Sequence, residues 1–130
     1  MKNYVELRKG TNVGSDCYID SRVSSSGNCV IGNHVTVRYD SIIATGVRIG
    51  DQTYICPKVM TNILYSDGVQ IGGANIGSHV FVGTGCVLQH GIKIGDNIVL
   101  GSMSYINKDI SAIEIWFGNP AKLYKKIPPK

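Results

Sequence analysis

Three histidines, His34, His79 and His90, are the side chains in this chain best suited to taking or giving a proton near neutral pH. A second chemical cluster is cationic. Lys122, Lys125, Lys126 and Lys130 crowd the last nine residues, with Lys108 shortly before them. Such a run is either a solvated basic tail or a seat for a small polyanion. The four cysteines, Cys17, Cys29, Cys56 and Cys86, form no Cys-x-x-Cys pair, so packing explains them better than metal or redox chemistry.

What must position these groups is a six-residue beat. Met1, Leu7, Val13, Ile19, Ile31, Val37, Ile43, Ile49 and Ile55 share one phase, with Ser25 and Thr61 as polar exceptions. The fifth place of each unit is restricted as well, from Val5, Thr11 and Cys17 to Thr53 and Val59. The beat lapses after about Tyr65, restarts at Ile76 and runs through Val82, Leu88, Ile94, Leu100 and Ile106. Neither a helix of period 3.6 nor an alternating strand produces a period of six. Three units make one triangular coil of a parallel β-solenoid. The fold expected is therefore all-β, a single solenoid of about six coils over residues 1–111. A loop extruded at about 67–75 interrupts it, and loops on rigid scaffolds are favoured places for binding residues. Residues 112–130 read as a C-terminal extension. Asn119 and Pro120 would start a short helix there whose Leu123, Tyr124 and Ile127 cap the open end.

This geometry separates the histidines. His34 and His79 occupy the fourth place of units opening the same side of the coil, where a turn residue faces solvent. His90 is at the third place of the unit that begins at Leu88. Gln89 stacks one turn above Asn62, so His90 lies near both Asn62 and the root of the loop.

Composition narrows the class. A chain of 130 residues is one domain by size, 43% hydrophobic and only 17% charged, and its 16 glycines suit a backbone that turns every six residues. The net charge of +4 comes without aromatic-basic interleaving, which argues against nucleic acid. No apolar run at the start resembles a signal peptide and no stretch is long enough to insert across a membrane, so a reducing cytoplasm is the expected location.

The repeats, the extruded loop, the Lys108-Asp109 pair and the ending Gly118-Asn119-Pro120-Ala121-Lys122 together resemble the hexapeptide-repeat acyltransferases. The segment from Ile94 to Ile110 is similar to their final coil. The segment Cys56-Pro57-Lys58-Val59-Met60-Thr61-Asn62 is similar to the corresponding part of bacterial sugar O- and N-acetyltransferases. The resemblance implies a left-handed β-helix, where parallel connections are otherwise nearly always right-handed. It also implies homotrimers with active sites between subunits, acetyl-CoA or another acyl-CoA as co-substrate, and no metal. The acceptor would be a sugar hydroxyl or amino group, free or nucleotide-linked, in surface-polysaccharide or nucleotide-sugar biosynthesis. Members often carry Thr-Asn-Asp where Asn and Asp hold the sugar. Here Thr61 and Asn62 match, Ile63 replaces the acid, and Asp67 is the nearest substitute.

For such a transfer His90, by its place near Asn62 and the loop root, is the candidate base or acceptor ligand, with Asn62 beside it as the second catalytic candidate. Tyr65 and Asp67 join Asn62 in binding the acceptor. Lys108 and Lys122 would meet the CoA phosphates, and Gly83 and Gly101 would leave backbone open beside the pantetheine arm. Trp116 and Phe117 read as packing under the cap. Two other readings use the same solenoid. One is a non-catalytic scaffold. The other is a zinc enzyme like the gamma carbonic anhydrases, but Gly85 stands where that pattern has a further histidine, and three imidazoles must converge on one metal.

Overall fold

The computed structural model describes residues 4–61, 64–66, 69–71, 73–111 and 113–127. The six-residue beat becomes a stack of two-residue parallel strands that form three sheets, hence three faces. Face one holds Glu6–Leu7, Ser24–Ser25, Ile42–Ile43, Met60–Thr61, Val87–Leu88 and Tyr105–Ile106. Face two holds Asn12–Val13, Val30–Ile31, Arg48–Ile49, Asn75–Ile76 and Lys93–Ile94. Face three holds Tyr18–Ile19, Thr36–Val37, Tyr54–Ile55, Phe81–Val82 and Val99–Leu100, with two longer strands after them. The result is an all-β solenoid of about six turns, and among the described residues there is no helix.

In the two-residue strands from Tyr18–Ile19 onward the second residue points inward. Ile31, Ile43, Ile55, Ile76, Leu88 and Leu100 are all at most 2% exposed. The fifth places close the core between them, from Val23 and Val35 to Val80 and Ile98. Polar residues at these inward places are satisfied by backbone. Ser41 Oγ donates to Cys56 O at 3.0 Å and accepts from the Val59 N–H at 3.2 Å. Thr61 Oγ1 donates to Ile42 O and accepts from the Ala44 N–H. The cysteines behave alike, with Cys17, Cys29 and Cys86 donating to the carbonyls of Gly32, Ala44 and Gly101 at 3.0–3.1 Å. All four cysteines are free, and burial pushes the thiols of Cys56 and Cys86 up.

The lapse in the beat is an antiparallel hairpin. Leu64–Ser66 pairs with Val69–Ile71 at the corner between faces one and two. Across it Arg48 pairs with Asn75, 27 residues on, whereas Val30 pairs with Arg48 at the ordinary spacing of 18. The stack therefore absorbs nine extra residues without a change of register. The span expected as loop, 67–75, overlaps this insertion; Ala74, fully buried, and Asn75, in a strand, belong to the coil.

The expected C-terminal helix over residues following Asn119 does not form. Glu114–Gly118 instead adds to the open edge of face three, pairing Val99 with Ile115 and Leu100 with Trp116. Ala121–Lys126 then returns antiparallel to it. The physical reason is the edge itself: unpaired backbone groups on the last coil offer a strand partners that a short isolated helix would lack. Asn119 and Pro120 make the hairpin's turn, beside Gly118 at φ +115°, instead of starting a helix.

Candidate active site

The corner between faces one and two is where the chain departs from regularity. Strands Met60–Thr61, Val87–Leu88 and Tyr105–Ile106 lie side by side, with Thr61 opposite Leu88 and Leu88 opposite Ile106. Past Thr61 the chain runs out toward the hairpin that carries Tyr65. Past Leu88 it gives Gln89, half-buried His90 and Gly91, whose φ of +71° makes the turn. Past Ile106 it gives Asn107, exposed Lys108 and Asp109. The register thus sets His90 and Lys108 at equivalent places one coil apart, on the corner from which the hairpin emerges. Asn62 and Asp67 lie outside the described residues.

Local contacts hold this corner's frame and leave its tips open. Tyr105 OH donates to Gln89 Oε1 at 3.0 Å, and the Lys93 N–H donates to Asp109 Oδ1 at 2.8 Å. Among the described residues neither the His90 imidazole nor the Lys108 ammonium has a hydrogen-bond or ion-pair partner. Asn107 Oδ1 is buried and also unpaired among the described residues. A groove of about 310 Å³ on face two adjoins the corner through Asp109 and is lined further by Asn75, Lys93, Asp96 and Ser111. Among the described residues no three His, Cys, Asp or Glu side chains gather as a metal site.

The other residues singled out in the sequence lie elsewhere. Gly83 and Gly101 stack at the corner between faces three and one. A Cβ on Gly83 would come within 2.6 Å of Ser102 N, and one on Gly101 within 2.6 Å of Phe117 Cβ. Their own amides donate to Leu100 O and Trp116 O at 2.8 Å. The next coil already occupies the space these glycines leave. Lys122 is exposed in the last strand, opposite Phe117. His34 and His79 are exposed turn residues at φ 56° on the corner between faces two and three.

One feature the sequence did not disclose is an arginine network on the outer side of face three. Arg38 Nε donates to Asp20 Oδ2 at 3.0 Å and its Nη1 donates to Tyr54 OH at 2.8 Å, which together raise its pKa. The 18-residue spacing of Asp20 and Arg38 was the available signal. A second pair, Arg22 with Asp40 at 2.6 Å, repeats that spacing.

Comparison with known proteins agrees with the fold. The model for bacterial transferase hexapeptide (six repeats) matches residues 73–108. No curated protein sequence matches the chain. Among solved structures, a maltose O-acetyltransferase from Clostridium difficile 630 is 28% identical, with a TM-score of 0.79 over 93% of this chain and 71% of that one. A mutant perosamine N-acetyltransferase from Caulobacter crescentus, in complex with CoA and GDP-perosamine, is 18% identical, with a TM-score of 0.83 over 94% of this chain and 54% of that one. The present chain thus spans about half the length of that enzyme. The hexapeptide-repeat acetyltransferase VCA0836 of Vibrio cholerae O1 biovar eltor, complexed with acetyl coenzyme A, is 19% identical, with a TM-score of 0.78 over 92% and 72% of the two chains. Residues 73–108 thus match the hexapeptide repeat, and the solenoid that carries them is similar in fold to those of these sugar O- and N-acetyltransferases.

Proposed function

We propose that the chain is a CoA-dependent acyltransferase that moves an acetyl or similar short acyl group onto a hydroxyl or amino group of a sugar. Surface-polysaccharide or nucleotide-sugar biosynthesis in the cytoplasm is the proposed setting, and the coil is taken to be left-handed like the hexapeptide-repeat fold it shares. The observation that carries the reading is the likeness to the maltose O-acetyltransferase over 93% of the chain. The perosamine enzyme, with CoA and GDP-perosamine bound, extends it to nucleotide-linked acceptors.

In this reading His90 accepts the acceptor's proton as its oxygen or nitrogen attacks the thioester carbonyl. A backbone N–H stabilises the tetrahedral oxyanion, which collapses to expel the CoA thiolate. The thiolate then takes the proton from His90. Asn62 orients the acceptor with Tyr65 and Asp67, and Lys108 and Lys122 hold the cofactor's phosphates. Gly83 and Gly101 are claimed by the coil stack, so they contribute at most the narrow backbone wall beside a pantetheine arm.

Lys122 and the His90 corner are set apart in one chain, which supports a homotrimer with sites between subunits. The outer columns support it too. After Glu6 and Ser24, face one presents Ile42, Met60, Val87 and Tyr105, and face three presents Tyr18, Thr36, Tyr54, Phe81, Val99 and Ile115. Face two presents Asn12, Val30, Arg48, Asn75 and Lys93. Copies packed face one against face three would bury both apolar columns. They would leave the His90 corner at the mouth of a cleft.

Calorimetry with acetyl-CoA, followed by transfer assays on a panel of sugars and nucleotide sugars, tests the reading. A well-folded protein that gives no heat with any acyl-CoA would sink it in favour of a scaffold. Lys122→Ala is expected to weaken CoA about fivefold and dephospho-CoA less. Equal losses would remove Lys122 from the phosphate site.

A further inference from the structure

The C-terminal hairpin combines features that neither packing nor edge protection accounts for. Its inner side is fixed: Trp116 packs on the core, Ala121 is 4% exposed, and Trp116 Nε1 donates to Glu114 Oε1 at 2.9 Å. Yet Phe117, Leu123 and Tyr124 are 48%, 46% and 62% exposed, with the Phe117 and Tyr124 rings in contact at 5.0 Å. Lys122, Lys125 and Lys126 stand among them, and after Glu114 the chain contains no acidic residue. Lysines alone would suffice to blunt the free edge of Ala121–Lys126 against pairing. They give no reason for large apolar side chains to stand in water beside them. Exposed aromatic rings among lysines, with the carboxylate of Glu114 buried against Trp116, match the boundary of an anionic bilayer, where rings sit at headgroup level and lysines reach phosphates along apolar stems.

We propose that this end of the solenoid docks on an anionic membrane surface, with Phe117 and Tyr124 entering the headgroup layer and Lys125 and Lys126 pairing with lipid phosphates. The docking is peripheral and reversible, since each lysine contributes only about a fivefold gain in partitioning. It falls with salt as the surface potential is screened. It does not rest on the acyl-transfer reading, because Lys122, which that reading gives to CoA, takes no part in it.

The test is co-sedimentation of the full chain with phosphatidylcholine vesicles, with and without phosphatidylglycerol, at low and high salt. Wild type is expected to partition onto the phosphatidylglycerol vesicles only, and less at high salt. The double variant Lys125→Glu/Lys126→Glu should lower partitioning by about tenfold or more. Phe117→Ser/Tyr124→Ser should lower it comparably, and circular dichroism checks that both variants keep the fold. Equal binding to neutral and anionic vesicles, no binding, or variants that bind like wild type would overturn the proposal. So would light scattering that shows Phe117→Ser/Tyr124→Ser splitting an oligomer, since a second copy would then cover this surface.

Discussion

Two corners of the same prism, built from the same repeat, end up with opposite chemical character. At the corner between faces two and three, polar side chains serve the backbone. The N–H groups of Ser15, Asn33 and Ser78 are taken by Asn33 Oδ1, Asp51 Oδ1 and Asp96 Oδ1 of the next coil, at 2.9, 2.8 and 2.7 Å. Backbone bonds from His34, Gln52, His79 and Asn97 to the coil below complete the ladder. The corner between faces one and two starts the same way, with Asn28 N–H to Lys9 O and Gly46 N–H to Asn28 O. Above the hairpin the ladder thins: Asp109 Oδ1 still takes the Lys93 N–H, but among the described residues no backbone bond joins His90 or Gly91 to the Lys108 turn. A corner that satisfies itself has little left to offer a ligand. One whose ladder is broken presents a histidine and a lysine that make no hydrogen bond or ion pair among the described residues.

The largest test of this contrast removes what breaks the ladder. Deleting residues 63–71 joins Asn62 to Gly72 and restores the six-residue beat from Thr61 to Ile76. The coil should still fold, since its register already passes across the insertion unchanged. Sugar acylation should fall to background while acetyl-CoA still binds. Transfer that survives the deletion would take the hairpin out of the acceptor site.

Next in size is the histidine comparison. His90→Ala should lower kcat/KM by at least ~100-fold if His90 is the base. His79→Asn, chosen because Asn tolerates the left-handed backbone at φ 56°, should change it less than twofold. Equal effects would erase the distinction between the corners. A loss below tenfold at His90 would point to an amine acceptor that needs no protein base.

Much of this was legible in the residues, and the misses have physical causes. Inward positions could be read because a β-solenoid core admits only certain side chains at fixed places, and Ile31, Ile55 and Leu88 obey that rule. Ala74 was read as loop because a small residue gives little signal, though it fills the same inward seat as Val47. The helix expected at the C-terminus was a local reading of Asn119 and Pro120, whereas the strand depends on an edge created by Val99–Leu100, far back in the chain. Gly83 and Gly101 show the limit most clearly. A glycine column looks the same in sequence whether the space beside it holds a ligand or the next coil, and here the next coil fills it. The placement of His90 one coil from Lys108 followed from the beat alone, but the broken ladder around it depends on hydrogen bonds that no residue pattern reveals.

The smallest effects expected are in stability, and they run opposite to those in activity. Asp51→Ala removes the acceptor for the Asn33 N–H, a charge-assisted bond on an exposed corner, and should cost about 1 kcal/mol in urea denaturation. Lys108→Ala removes an exposed side chain without a partner among the described residues and should change stability by less than ~0.5 kcal/mol. Its acetyl-CoA affinity should drop, while that of Asp51→Ala should not. The two substitutions separate a corner that maintains the coil from one that the coil presents. If Lys108→Ala proved the more destabilising, the open corner would be part of the scaffold, and His90 would lose its claim to chemistry.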